Sequence, residues 1–266
     1  LNNWQRSRRL SMSSRFDLAS KHAEVLDDAT DALVNRDNLT IASASLDADF
    51  VDERFHGVNH ASANYSKGFN DLLDAMDGDG KTSGGIFSSR QGGDGKYASG
   101  DFQKVTANYT RVQTLPFKSE LLLRANTQYS QDMMVSLEQF GLGGPHSVRA
   151  YPVGEFQFDK GWFASAEWFL RAPFISEKDA FAGKKWGEVL RVSAFVDYAG
   201  GINNNPTAQE VTDGTDKVEL SGAGLGLELN LPKAFFVKVE AATPVSHYDA
   251  SNRHNPQYWL STGLQF

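Results

Sequence analysis

Arg149 stands in the stretch GGPHSVRAYPVGE (residues 143–155), flanked by Val148 and Tyr151 and preceded by a glycine pair. A solvated loop tip needs neither the apolar neighbours nor the glycines. An arginine that packs against a buried carboxylate uses both, because its planar fork offers two-pronged, charge-assisted hydrogen bonds and glycines let the backbone come close to a wall. The other candidate chemistry is poorer. DGDGKT (77–82) ends like a phosphate-binding loop, but Ala75 stands where that motif has glycine, and the stretch lacks the downstream glutamate of a calcium loop. It reads as a solvated loop. His56 and His60, four apart, would share one face of a strand without the glutamate and helix of a zinc hydrolase. His247, Asp249 and His254 share a loop that carries no positioned nucleophile such as G-x-S-x-G. The expectation is a protein without catalytic residues, metal or other cofactor.

Composition narrows the class. The 266 residues carry a formal charge of −7, which disfavours binding to a phosphate backbone, so no nucleic-acid partner is expected. There are no cysteines and hence no disulfide framework or thiolate site. No apolar run approaches the ~18 residues of a membrane helix. The mean hydropathy of −0.42 suits a soluble protein, but equally a membrane β-barrel, whose strands alternate lipid-facing and lumen-facing residues. The chain opens LNNWQRSRRL, without an initiator methionine or a signal-peptide pattern. With strand residues beginning soon after, the expectation is a piece cut inside a domain.

Period-two patterns position the chemistry. In WFASAEWFLRAP, Trp162, Ala164, Ala166, Trp168 and Leu170 share one face, and Phe163, Ser165, Glu167, Phe169 and Arg171 the other. In EVLRVSAFVDYAG, Val192, Ala194, Val196 and Tyr198 oppose Arg191, Ser193, Phe195 and Asp197. ELLLRANTQY splits into Leu121, Leu123, Ala125, Thr127 and Tyr129 against Glu120, Leu122, Arg124, Asn126 and Gln128. Further candidates lie near 9–18, 37–50, 54–67, 101–115, 217–230, 233–244 and 257–266. Alternation falters at Arg111, which suggests a bulge or a shorter strand. About ten strands result, each near the ~9–11 residues a tilted membrane strand needs. Short connections near 51–54, 115–118 and 230–233 alternate with long ones at 67–100, 130–160, 199–216 and 245–256, while 173–187 is of intermediate length. Short turns on one side and long loops on the other predict an all-β, transmembrane antiparallel barrel, with Tyr65, Tyr129, Trp162, Tyr198 and Tyr258 as interfacial aromatics. The rival is a soluble β-sandwich. An inward-folded 130–160 loop would bring Arg149 to the lumen face that carries Asp197, Glu167 and Arg171.

Three stretches carry a resemblance. SVRAY resembles the VRG[YF] motif at the tip of the long inward-folded loop of two-partner secretion transporters (TpsB proteins). FVDYAG resembles their FxDxG motif on the facing strand. SEQFGLGGPHSVRAYPVGEFQFDKGWFASAEWFLRAPF is similar throughout to the haemolysin activation/secretion branch. The final stripe Tyr258, Leu260, Thr262, Leu264 and Phe266 is similar to the C-terminal signal read by the bacterial outer-membrane assembly machinery. The resemblance implies a sixteen-stranded barrel preceded by two POTRA domains and a plug helix, of which residues 1–266 would be the C-terminal part, about ten strands. By match to the motifs, Arg149 is the loop arginine and Asp197 its partner, with Val148, Tyr151 and Phe195 packing beside them. Ala150 stands where the family has glycine, and Ala199 where FxDxG ends, with Gly200 one residue late. The implied function is export of a large haemolysin- or adhesin-type partner exoprotein from periplasm to cell surface, in the outer membrane of a Gram-negative bacterium. Lipid, the exoprotein and the assembly machinery are the implied partners. The alternatives are an insertase-type barrel of the same superfamily, a porin or an outer-membrane hydrolase.

Overall fold

The alternating segments form strands because one face of each can be buried while the other meets a different medium. A computed structural model describes residues 2–6, 10–181, 183–231 and 235–264. In chain order its strands are β1 (Asn2–Arg6), β2 (Leu10–Leu26), β3 (Leu33–Asp52), β4 (Gly57–Phe69), β5 (Gln103–Leu115), β6 (Ser119–Ser130), β7 (Phe140–Leu142), β8 (Phe156–Phe158), β9 (Lys160–Arg171), β10 (Leu190–Ile202), β11 (Lys217–Leu231), β12 (Phe235–Pro244) and β13 (Gln257–Leu264). Eleven of them make one antiparallel meander, β1-β2-β3-β4-β5-β6-β9-β10-β11-β12-β13. The remaining two, β7 and β8, pair only with each other, as the stem of the loop between β6 and β9. Two short helices, α1 (Trp186–Val189) and α2 (Ala208–Asp213), lie in connections.

The ten expected strands are all present, and β1 is additional. β2 and β3 run to 17 and 20 residues, well past the expected ends. Beyond Leu18 the outer face turns polar at Ser20, His22 and Glu24, so the apolar signal stops while the ladder to β3 continues. No bulge occurs at Arg111: β5 pairs with β4 and β6 without a register shift. Arg111 keeps its place on the outer face and is satisfied there by Asp52 (2.9 Å) and Asn59 (2.9 Å), which is why a polar residue interrupts the pattern without interrupting the strand.

The register gives two unlike faces. Val196, Leu225 and Leu260 are 59%, 68% and 69% exposed on the outer one, along with Trp162, Trp168, Tyr258 and Leu264. An apolar belt of this extent is a lipid-contacting surface, not a water-facing one. Glu167, Phe195 and Asp197 are buried on the inner face, and Arg171 shares that face in an ion pair with Glu120 (2.7 Å). Tyr65, Tyr129, Trp162, Tyr198 and Tyr258 all fall at the long-loop ends of their strands on the outer face, where Trp162 meets Tyr198 edge-on at 4.8 Å. Phe266 lies outside the described residues. The intermediate connection after β9 is tied to the β5–β6 turn through Glu177, which accepts from Lys118 (2.6 Å) and Lys185 (2.9 Å). Lys118 and then Lys185 hold its carboxyl down to about 2. Because the value is depressed, the tie is in place above the ordinary carboxylate range and is lost only as pH falls through about 2.

Arginine at Val196 or Leu225, near mid-belt, should lower barrel stability in lipid by ~2–4 kcal/mol. Arginine at an inner-face site such as Thr106 should cost much less. Equal sensitivity in a denaturant titration in vesicles would contradict the two-faced assignment.

Candidate functional site

The loop between β6 and β9 folds inward because its own ends and tip are built for it. β7 and β8 form a stem with Phe140 opposite Phe158 and Leu142 opposite Phe156. Gly143 and Gly144 then turn the chain at φ +94°, and a Cβ on Gly143 would lie 2.2 Å from the carbonyl oxygen of Pro152. The tip closes as a tight turn, with Tyr151 N–H donating to the Val148 carbonyl (3.1 Å) and Gly144 N–H to the Tyr151 carbonyl (2.9 Å). Val148, Ala150 and Tyr151 pack into an apolar cluster with Phe158, Phe195 and Leu220. The Tyr151 hydroxyl is satisfied at the cluster's edge by Ser246 (2.7 Å) and the Tyr248 carbonyl (3.0 Å).

Arg149, 1% exposed, reaches the inner wall. Its Nε donates to Asp197 Oδ2 (2.9 Å) and one Nη2 proton to Asp197 Oδ1 (2.8 Å), a two-pronged pair. The other Nη2 proton goes to Ser165 Oγ (3.2 Å), and Nη1 donates to Glu167 (2.7 Å) and Glu240 (2.7 Å). All five guanidinium N–H groups are thereby used. The backbone N–H of Arg149 also donates to Asp197 (3.1 Å), its carbonyl accepts from Trp259 Nε1 (2.7 Å), and its guanidinium lies 3.3 Å from the centre of the Phe195 ring. Lys238 bridges Glu167 (3.3 Å) and Glu240 (2.9 Å), so three carboxylates face two cations in direct contact. Arg124, above Phe163 and 3.5 Å from Ser165 Oγ, supplies further positive field.

The structure thus brings together Val148, Arg149, Ala150, Tyr151, Glu167, Phe195 and Asp197. Arg171 lies lower on the same wall, and Tyr258, Leu260 and Leu264 face outward. Gly200 is a correction. β10 has no bulge, so a residue one place late faces the other way: Gly200 lies outward against Trp162, and the inner positions after Asp197 are Ala199 and Gly201. The extra methyl of Ala150 fits because Gly222 of β11 faces it, where an added Cβ would sit 2.6 Å from the Ala150 Cβ. Sequence reading missed Ser165, Gly222, Lys238, Glu240 and Trp259. The alternation of glycine with apolar residues in SGAGLGLEL was the available signal for the inner groove.

The weaker candidates have these surroundings. The Asp77 carboxylate accepts from the N–H groups of Asp79 (2.9 Å) and Lys81 (2.8 Å), folding its own turn. His56 sits in the β3–β4 turn, whereas His60 is on β4 beside Asp49 (2.8 Å), so the two do not share a strand face. His247 lies against Tyr248 with the rings tilted, while Asp249 and His254 line a polar hollow with Arg253.

The Omp85 superfamily domain matches residues 34–266. The chain belongs to the Omp85 superfamily. No curated protein sequence matches it. Among solved structures, CdiB from Escherichia coli aligns over 98% of this chain and 42% of its own at 17% identity, TM-score 0.67. CdiB from Acinetobacter baumannii aligns over 98% and 39% at 15% identity, TM-score 0.65. BamA from Haemophilus ducreyi lacking POTRA domains 1–3 aligns over 97% and 52% at 15% identity, TM-score 0.58. This Omp85 chain therefore spans about half or less of the structures it matches, and the likeness is one of fold. It is a Gram-negative outer-membrane β-barrel protein.

Two substitutions test the seat separately from the charges. Gly222→Ala should cost roughly 1–3 kcal/mol by overpacking Ala150, and Ala150→Gly should recover most of it in the double variant. Thermal melts of the three variants in detergent check this; additive losses would show that the two positions do not touch. Arg149→Lys should behave almost as Arg149→Ala, since one ammonium cannot serve Asp197, Glu167, Glu240 and Ser165 together. A lysine variant as stable as the parent would show that charge alone, not the fork, holds the tip.

Proposed function

We propose that this chain is part of a two-partner secretion transporter that moves a large, unfolded exoprotein through the outer membrane, and that it is not an enzyme. The observation that carries the reading is the loop tip seated in the lumen by a fully satisfied arginine. A passive pore has no use for a plug of this kind, whereas a transporter that must stay tight between substrates does. Membership of the Omp85 superfamily supports protein transport or insertion, and the likeness to CdiB supports the secretion branch. A complete unit on this reading includes the POTRA domains and first strands that the resemblance implies, with the barrel assembled by the outer-membrane machinery.

The inner wall suits such cargo. Away from the Arg149 cluster, β3–β5 face the lumen with Ser43, Ser45, Ser62, Asn64, Thr106 and Asn108. Short hydroxyl and amide groups, with Asp47, Asp49, His60 and Lys104 on the same face, give a hydrated, polar surface that exchanges hydrogen bonds with a passing backbone without gripping any one sequence. On this reading the exoprotein's own folding outside supplies the drive.

In the full-length protein, Arg149→Ala strands three carboxylates around one lysine, at a cost of about 3–5 kcal/mol. Secretion of the exoprotein should fall sharply while heat-modifiable barrel still reaches the outer membrane. Asp197→Ala should do less on its own, because Glu167 and Glu240 still hold the guanidinium, and the double variant should be less than additive. Secretion unchanged in Arg149→Ala would remove the loop from the mechanism. Intact secretion with failed assembly of other barrels would favour the insertase alternative.

A further inference from the structure

A second buried arginine–carboxylate contact lies above the first, at the long-loop mouth of the barrel. Asp159, immediately before β9, is fully buried. Its Oδ1 accepts from Arg90 Nη1 (2.6 Å) and from the Met134 N–H (3.0 Å), and its Oδ2 from the Asn204 N–H (2.8 Å). Arg90 also donates to the carbonyls of Met134 (2.9 Å) and Asn204 (3.4 Å). One ion pair therefore joins three loops: residues 70–102, 131–159 and 203–216.

The first of these loops is strung across the mouth. At one end it completes the upper edge of β3, with Met76 N–H on the Asn38 carbonyl (3.0 Å) and Arg36 N–H on the Phe87 carbonyl (3.0 Å). At the other it meets the β10–β11 loop, with Gly93 N–H on the Asn205 carbonyl (3.1 Å) and Asn205 Nδ2 on Asp94 (2.6 Å). Strands β3 and β10 are separated in the sheet by β4, β5, β6 and β9. A loop anchored to both spans the opening. Its Met76, Ala98 and Phe102 pack in a second apolar cluster with Leu39 and Ile41 of β3 and with Met134.

We propose that residues 70–102 form a strap over the lumen and that Arg90–Asp159 is its latch, with both residues acting as positioning residues for transport. The contact suits a latch. Its acid stays fixed by two backbone N–H groups when Arg90 leaves, and Arg90, 12% exposed, returns to solvent over a short path. The strap lies on the outlet side of the Arg149 plug, so an emerging chain meets it last. The geometry of the strap stands without the secretion reading; only its role in transport rests on that reading.

The test uses the full-length protein in cells. Cysteine is placed at buried Ala98, since residues 1–266 have none, with any cysteine elsewhere in the full-length protein replaced by serine, and a membrane-impermeant maleimide is added outside. Adding Arg90→Ala should raise the labelling rate about tenfold or more, as expected when a buried charge-assisted contact is lost. Arg90→Lys, which keeps the charge but loses the fork, should fall between. Heat-modifiability on gels confirms that each variant is folded. Equal labelling rates in folded Ala98→Cys and Ala98→Cys/Arg90→Ala would overturn the latch. Separately, Asp94→Cys/Asn205→Cys ties the strap shut when oxidised, and reductant should restore secretion. Secretion indifferent to that disulfide would overturn the transport role of the strap while leaving both the latch and the secretion reading intact.

Discussion

A guanidinium buried inside a barrel must have every N–H engaged, and that demand organises this protein. The five donors of Arg149 need acceptors from β9, β10 and β12 at once: Ser165 and Glu167, Asp197, and Glu240. No single strand can supply them, so the sheet must hold three strands in one register before the loop can be seated. Lys238 then offsets the surplus acid, and Ser193 donates to Glu167 (2.8 Å), so the carboxylates remain satisfied as well. Removing Arg149 leaves three buried carboxylates against one lysine, which is more costly than the net value of the intact cluster. The glycine turn, the small groove on β11 and the Trp259 donor to the Arg149 carbonyl all follow from placing that one side chain.

Much of this was legible from residue order because a barrel strand has only two faces. Period two assigned Glu167, Phe195 and Asp197 to one side and Trp162, Trp168 and Val196 to the other, and the register leaves no bulge in β9 or β10 to overturn it. The same rule explains the error at Gly200, where a motif match tolerated a one-residue offset that a regular strand does not. The heights of Glu240, Lys238 and Gly222 relative to the loop tip were not legible. Their approach to Arg149 depends on how far β11 and β12 slide against β10, and alternation fixes a residue's face but not its height. The folded arrangement of residues 70–102 was hidden for a different reason. Its glycines and aspartates look like solvated loop, and the few apolar residues that bury it (Met76, Ala98, Phe102) have no period.

The two arginine contacts differ in a way that matters for movement. Without Arg149, three buried carboxylates share Lys238 and two serine hydroxyls, whereas Asp159 keeps two backbone donors without Arg90. Release of the inner contact therefore leaves an excess of buried negative charge behind. The outer one is graded, because its acid remains partly satisfied. On the proposed secretion reading, two closures in series with unequal release costs suit a wall that has to be tight at rest.

Stability alone does not explain an ionic plug. Apolar residues of similar volume often hold a buried interface as well as an ion cluster, or better, since they carry no desolvation penalty. The tip already has such contacts through Val148, Ala150 and Tyr151. A purely apolar tip, however, could settle at several heights along the glycine groove of β11, because small apolar contacts are not directional. The fork on Asp197, with Glu167, Glu240 and Ser165 completing it, is satisfied at a single height and a single rotation. Its contribution is to choose the seat, with the apolar cluster supplying the hold. That division of labour also explains how alanine is accommodated at position 150: a methyl facing Gly222 adds hold without altering the seat that Arg149 selects.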